Sequence, residues 1–490
     1  KTQMASTNNQ SETFAAGQCV FIDVTAESQA SLDKGQITIT KEADAPGDAV
    51  NVKKGPPLFV KAALASLAIS ILFYVMVFIY LGVSSNQTGY TQNLEIAVVN
   101  LDDGIIGKAF VAFARSLQAG NGLPTFNVLS STSYDDARNR VADAVSWGAV
   151  VVQPNAWNNL VAAFQTTDNT FVTSSAIQFI YDESRFPTVV ASRVSGPVRA
   201  LITAFCQNIS ASIVNKMGSD PSTSASVSAA AVSAPRLLSQ PVWFTENNLH
   251  PATVQVATFG LTVGMILLVV FTWSSWMATY GMTTPATPPA TLEEARALFL
   301  ARFVVITWIT FCISLSFTFI WQALGANFPS AAAWVSFWLV HWLNMVNYGM
   351  TFAAATHILT FQKVRKFNIR NVVAVVLFVS CRTSASFHFL SCLQLVQAPA
   401  AILFMIIFNG VGAFNELSLA NPFYQWGWAM PMAHAVMASR TIIFNGRDQL
   451  GINVGALAIW AVFMFFVAFF TVPKPKPADQ SSSDASAASS

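Results

Sequence analysis

Residues 332–355 read AAWVSFWLVHWLNMVNYGMTFAAA, a stretch without one Lys, Arg, Asp or Glu. An α-helix rises about 1.5 Å per residue, so roughly 20 such residues cross the hydrocarbon of a bilayer. The stretch therefore predicts a membrane span. It also carries His341, Asn344, Tyr348 and Thr351, spaced so that all four fall on one helix face. Polar groups at lipid depth face a bundle interior or a cavity. The stripe reads in two ways: as a polar translocation path, or as interhelical hydrogen bonds worth about 0.6–2 kcal/mol each. Gln322, near the end of the preceding apolar stretch, is a candidate partner for it.

The rest of the chain repeats the pattern. Apolar runs of span length lie at Ala62–Val83, Val254–Met277, Ala301–Leu324 and Val454–Val472, and 372–414 supplies one more. The fold class expected is a multi-pass α-helical membrane protein with six transmembrane helices and an α/β extracytoplasmic domain between helices 1 and 2. In chain order this means a cytosolic tail at 1–57, transmembrane helix 1 at 58–83 and the α/β domain at 84–253. A five-helix transmembrane region at 254–472 and a second cytosolic tail at 473–490 follow. Both tails are polar and biased in composition and read as disordered; the first has no apolar core of a signal peptide.

Orientation follows from basic residues in short loops. Lys53, Lys54 and Lys61 precede the first span, Lys363, Arg365, Lys366 and Arg370 follow the fourth, and Lys474 and Lys476 follow the last. With six spans these three places share one side, so both termini are expected in the cytosol. Composition agrees with a membrane protein: hydrophobic residues make up 53% of the 490 residues and charged residues only 10%. With 26 Lys+Arg against 24 Asp+Glu the net charge is +2, too small for a nucleic-acid binder that works through charge.

Within 84–253 the periodicity changes. Strand-like runs at Leu94–Val99, Thr125–Leu129, Ala149–Val152 and Ile177–Tyr181 alternate with helix-like runs at Ile105–Leu117, Tyr134–Val145 and Pro154–Phe164. Ser133 is the expected N-cap of the second helix. A long helix is predicted from Val189 to Met217, then a Ser/Ala-rich link over 219–235. Cys206 reads as a buried thiol. Asn208-Ile-Ser210 is an N-glycosylation sequon, and Asn86-Gln-Thr88 is another close to the bilayer edge.

Few strings suggest chemistry. Asp102-Asp103-Gly104 is a turn signal, with a cation site as the alternative. Tyr181-Asp-Glu-Ser-Arg185 reads as a solvated loop with a local ion pair, or as a polar-ligand site. No phosphate-binding loop, no paired histidines and no nucleophile motif occur in the sequence, and the cysteines (Cys19, Cys206, Cys312, Cys381, Cys392) are scattered. No enzyme, metal or cofactor is expected. Gly260 and Gly264, at GxxxG spacing, permit close helix approach. Asn421–Pro431, with Pro422, Trp426, Trp428 and Pro431, predicts an interfacial elbow or re-entrant helix ahead of an amphipathic run at Ala433–Phe444. Glu416 and Arg440 are expected to pair across it.

The stretch 379–397 places Arg382, Cys381 and Cys392 inside an apolar run. Removing it joins Val372–Phe378 to Ala398–Phe414 as an uninterrupted span, so it reads as a retained in-frame intron. A transcript carrying all its codons at full abundance would overturn that reading.

Several strings together carry a resemblance: Ala97-Val-Val-Asn-Leu-Asp102, Trp147–Asn155, Tyr181-Asp-Glu, Pro241–Pro251 and Pro422–Pro431. In their order and in the one-span, domain, five-span layout, the chain over 55–472 resembles the fungal nitrosoguanidine-resistance family, the DUF3533 domain. That family is distantly similar to phage-infection-protein and type-2 ABC permease membrane subunits. The resemblance implies a plasma-membrane protein tied to drug or mutagen resistance and to the distribution of lipids across the bilayer. It implies membrane lipids as partners and a homodimer by the permease analogy; since this chain has no ATPase motif, it needs a partner protein, an ion gradient or a passive scramblase role. The alternative is a non-transporting scaffold or regulator whose external domain binds a lipid, a wall component or a protein.

Overall fold

The structure is a computed structural model that describes residues 70–475 apart from 72–73, 121, 131–132, 253–256, 258, 286, 365–401 and 448. All of these lie in the second of two compact units, Pro57–Ser490. The expected tails, the 379–397 stretch and most of the expected first and fifth spans fall outside the described residues.

The α/β region is a five-stranded sheet in the order β2-β1-β3-β4-β5. Its strands are β1 (Glu95–Asn100), β2 (Thr125–Leu129), β3 (Gly148–Val152), β4 (Ile177–Tyr181) and β5 (Phe244–Asn248). β1 runs parallel to β2 and β3, β4 is antiparallel to β3, and β5 is parallel to β4. Side chains of a strand alternate between faces. Ile96 and Val98 of β1 accordingly join one core, and Ala97 and Val99 the other. The larger core lies under α1 (Ile105–Ser116), α3 (Ala156–Thr166), α4 (Pro187–Ser219) and α5 (Ser224–Ser233). The smaller is closed by α2 (Tyr134–Ala142) through Ala137 and Val141. Ser133 Oγ caps α2 by accepting the Asp136 N–H at 3.1 Å. β3 is buried along its whole length, as a run of small and β-branched residues in a central strand should be.

Asp102 ends β1 in a turn and serves both following helices. Its carboxylate accepts N–H groups of Gly107 and Trp157 at 3.0 and 3.2 Å, so one buried acid caps α1 and α3 together. That gives Asp102 of the Asp-Asp-Gly string a structural role. The Ser/Ala-rich stretch forms α5, packed on the core through Ala230.

The remaining described helices form a bundle: α6 (Gly260–Met282), α7 (Leu292–Ala323), α8 (Ala331–Val364), α9 (Ile402–Phe414), α10 (Pro431–Phe444) and α11 (Leu450–Phe470). α8 lies at its centre, touching α6, α7, α10 and α11. Thr291 Oγ1 accepts the Glu294 N–H at 3.1 Å and Glu294 Oε2 the Ala290 N–H at 2.7 Å, a reciprocal cap that starts α7. Gly260–Gly264 is a π-helical turn. A Cβ at Gly260 would collide with the Trp321 ring, and one at Gly264 would lie 3.0 Å from Phe317, so the glycines bring α6 against α7.

Four described helices are long and apolar enough to cross a membrane: α4, α6, α7 and α11. α4 meets that criterion yet packs one side on the sheet, through Val190, Val194, Val198, Ile202, Cys206 and Ile213. α8 is absent from the four because its His, Asn and Trp residues lower its mean hydropathy.

Two expectations are corrected here. Tyr181–Arg185 is not a solvated loop: Asp182 and Ser184 are 5% and 4% exposed, because the segment is clamped between the sheet and the bundle. The run Ala433–Phe444 is not amphipathic in place, since α10 is sandwiched between α8 and α11 and is buried on nearly every side. β5, Phe244–Asn248, has no counterpart among the strands read from the sequence.

Candidate functional site

Where the sheet meets the bundle, a cavity of ≈ 370 Å³ is enclosed by the β4–α4 connection, the end of α2, the segment after α9, α10 and the start of α11. The junction is held by several side-chain hydrogen bonds. Asn93 Nδ2 donates to the Ser418 carbonyl at 2.8 Å, Asn421 Nδ2 to Tyr90 OH at 3.2 Å, and Glu183 accepts the Ala252 N–H at 3.0 Å. Leu419, from the bundle side, is fully buried in the larger sheet core. Gly446 allows the closest approach: a Cβ there would collide with Ser184 Oγ.

Two guanidinium groups meet at this cavity. Arg185 lies 3.5 Å over the Trp147 ring and donates from Nη1 to the Ala144 carbonyl at 3.1 Å. Arg440 lies 4.1 Å over the Phe186 ring and donates from Nη1 to the Arg185 carbonyl at 3.1 Å. Burial pushes the Arg185 guanidinium down to about 10 against the opposing pull of Glu416, so it remains a cation at neutral pH. Arg447 adds an exposed third cation to the wall.

The expected Glu416–Arg440 ion pair is not formed among the described residues; both groups line the cavity instead. Glu416 Oε1 is engaged locally, accepting the Ser418 N–H and hydroxyl at 3.2 and 2.7 Å. The other acid on the wall, Asp182, accepts Ser184 N–H and Oγ–H and lies 2.8 Å from His250 Nδ1.

The polar stripe of α8 begins beyond one wall of this cavity. His434 and Asn453, which line it, contact each other at 2.9 Å between α10 and α11. Further along α10, Ser439 Oγ lies 3.2 Å from His341 Nε2 and gives its own proton to the Ala435 carbonyl. His341 Nδ1 is buried with no described partner. Asn344 Nδ2 donates to Tyr348 OH at 2.9 Å, and Thr351 Oγ1 to the Asn347 carbonyl at 2.8 Å. His341, Asn344 and Tyr348 are fully buried. Gln322 is not their partner; its Oε1 accepts the Trp334 indole N–H at 3.0 Å.

Two polar residues of this helix were not singled out in the sequence. Asn347 donates to the Leu343 and Leu457 carbonyls, each at 3.1 Å, tying α8 to α11. His357 donates from Nδ1 to the Ala468 carbonyl at 2.9 Å and faces Tyr280 OH at 3.2 Å. Their signal is present, being polar groups in an apolar helix, but they lie off the chosen face. The buried Oδ atoms of Asn344 and Asn347 and Nδ2 of Asn453 also have no described partner.

The elbow forms as a 3₁₀ helix, Pro422–Ala429, capped by Asn421 Oδ1 on the Phe423 N–H at 3.0 Å, and Pro431 opens α10. Trp426 meets Phe408 in a tilted ring pair at 5.2 Å, while Trp428 is exposed and lines the cavity. Asn208 is exposed on α4, with Ser210 of its sequon buried. No group of three or more His, Cys, Asp or Glu residues suited to a metal occurs among the described residues.

A family model described as a protein of unknown function, DUF3533, matches residues 65–387 and 369–466. The matched segments overlap at 369–387, which includes 379–387 of the stretch read as an intron. No solved structure matches the chain.

Proposed function

From the premise that the chain belongs to the DUF3533 family, we propose that it is an integral plasma-membrane protein of the ABC-2-permease type. It moves lipids or amphipathic toxic compounds across the bilayer, or sets their distribution between leaflets. In this reading six helices span the membrane, both termini are cytosolic and the α/β domain is extracytoplasmic. α11, at 21 residues, rises about 31 Å, close to the hydrocarbon thickness. The cavity at its N-terminal end then sits at headgroup level, beside the elbow tryptophans.

One observation carries the reading. A charged junction cavity adjoins a buried polar seam, running from His434–Asn453 to His341–Ser439, in which several polar atoms have no described partner. Burying such atoms costs roughly 1–3 kcal/mol each, and a site for a moving polar group gives a reason to retain them. The protein is read as non-enzymatic, and its energy as supplied by a partner protein, an ion gradient or the lipid gradient itself.

The test is reconstitution of the pure chain in proteoliposomes carrying a fluorescent phospholipid. Transbilayer movement faster than in empty vesicles, and slowed in His341→Leu/Asn344→Leu, supports the reading. Movement no faster than in empty vesicles, both with and without an imposed ion gradient and with added membrane extract as a source of partner protein, overturns it. A scaffold or regulator is then favoured, because every stripe residue already has one hydrogen-bond partner that can serve packing alone.

A further inference from the structure

We propose that the junction cavity binds the phosphate of a lipid headgroup, held between Arg185 and Arg440 with Arg447 at the rim. This rests on the reading that the bundle lies in a bilayer with the cavity at headgroup level.

The charge balance comes first. Three guanidinium groups line the cavity against two carboxylates, and both carboxylates are already engaged, Glu416 by Ser418 and Asp182 by Ser184 and His250. No ion pair of Arg185 or Arg440 occurs among the described residues. Glu416 and Asp182 act on these half-buried guanidinium groups from beyond ion-pair distance, and an anion bound directly to them would offset more of the cost of their burial.

The donors are also free to act. Each of the two arginines spends one Nη1 hydrogen bond on a backbone carbonyl, and Arg440 Nε is buried with no described partner. The aromatic rings of Trp147 and Phe186 lie beneath the guanidinium planes at 3.5 and 4.1 Å and fix them in place. A planar fork with unspent N–H groups matches the oxygens of a phosphate better than a lysine would.

Size and surroundings point to an amphiphile. The volume, ≈ 370 Å³, falls within the roughly 300–1,000 Å³ of ligand pockets. Trp428 and Ile452, both on the wall, are 38% and 70% exposed, so apolar surface continues outward from the charged floor along α11. A phosphate on the arginines would leave its acyl chains on that surface.

The experiment uses the full chain in nanodiscs of neutral lipid. Binding is followed by tryptophan fluorescence for three probes: dihexanoyl phosphatidic acid, inorganic phosphate, and octyl glucoside as a phosphate-free amphiphile. The phosphatidic acid is expected to bind tightest, and Arg185→Gln and Arg440→Gln each to weaken it about tenfold. Glu416→Gln, which removes an opposing charge, is expected to tighten it severalfold, a gain that misfolding cannot imitate. Equal binding of octyl glucoside, or no change in all three variants, overturns the proposal. Inorganic phosphate binding as tightly as the lipid overturns the lipid assignment and assigns the site to free phosphate. Probe binding with this pattern but no transbilayer movement in proteoliposomes leaves the site standing and removes the transport reading. Movement without the arginine effect does the reverse.

Discussion

Helices α4 and α11 pass the same test of length and apolarity, yet they turn opposite kinds of side chain outward. α4 presses Val190, Val194, Val198, Ile202 and Ile213 onto a sheet and turns Arg199, Gln207, Asn208, Asn215 and Lys216 outward. α11 turns Ile452, Ile459, Val462, Phe463, Phe466 and Phe470 outward and buries Asn453. Composition alone barely separates the two. The side on which the polar residues lie separates them fully, because water rewards polar groups outside and hydrocarbon rewards them inside. α8 makes the same point from the other direction. It is too polar to count among the apolar four, and it occupies the middle of the bundle, where its polar groups find partners on α10 and α11.

The difference sets the expected size of several substitutions. The largest effect is expected at the packed sheet. Phe110 is 1% exposed and meets Phe205 edge-on at 4.9 Å, so Phe110→Ala should cost about 3–5 kcal/mol. Limited proteolysis should show the loss in the α/β region while α6–α11 stay protected. If both regions loosen together, they are one cooperative unit.

Next comes a charge placed on each outward face. Phe463→Arg on α11 should cost about 2.5–3.5 kcal/mol and reduce membrane-inserted protein. Ala204→Arg on the exposed side of α4 should stay within about 0.5 kcal/mol. Equal yields of inserted protein from the two would contradict the assignment of one face to lipid and the other to water.

A smaller effect is expected inside the bundle. Asn347→Leu removes the bond to the Leu457 carbonyl that joins α8 to α11, at about 0.6–2 kcal/mol, and should lower the melting temperature in detergent. An unchanged melting temperature would mean that packing alone holds the helix pair.

The smallest concerns the edge of the sheet. Glu246 of β5 forms a two-pronged pair with Arg199 of α4, and hydrogen bonding to Arg199 lowers its pKa despite partial burial. A depressed folded pKa means that the stabilisation is present above the unfolded value and fades as pH falls through the folded one. For a pair this exposed the gain is at most about 1 kcal/mol. Hydrogen exchange of the β5 amides should quicken below the usual carboxylate range, and Glu246→Gln should abolish that pH dependence. Exchange that speeds up equally in the variant would assign the effect elsewhere.

Most of the elements were legible in the residues. β1 to β4, α1 to α4, the Ser133 cap, the buried Cys206 and the close approach at Gly260 and Gly264 follow from near neighbours in the chain. Periodicity, caps and small residues act over a few positions, so sequence alone determines them. Tertiary structure decided the rest. Phe244–Asn248 is a poor strand by composition and becomes one because β4 offers a ladder and Arg199 and Tyr134 hold its side chains. Glu416 satisfies itself on Ser418 instead of pairing with Arg440, and Arg440 reaches back 255 positions to the carbonyl of Arg185. Asp182 and Ser184 are buried only because the bundle closes over them. The free energy of a charge depends on every group within a few ångströms, whatever its place in the chain, so the junction cavity exists only once both regions are folded against each other.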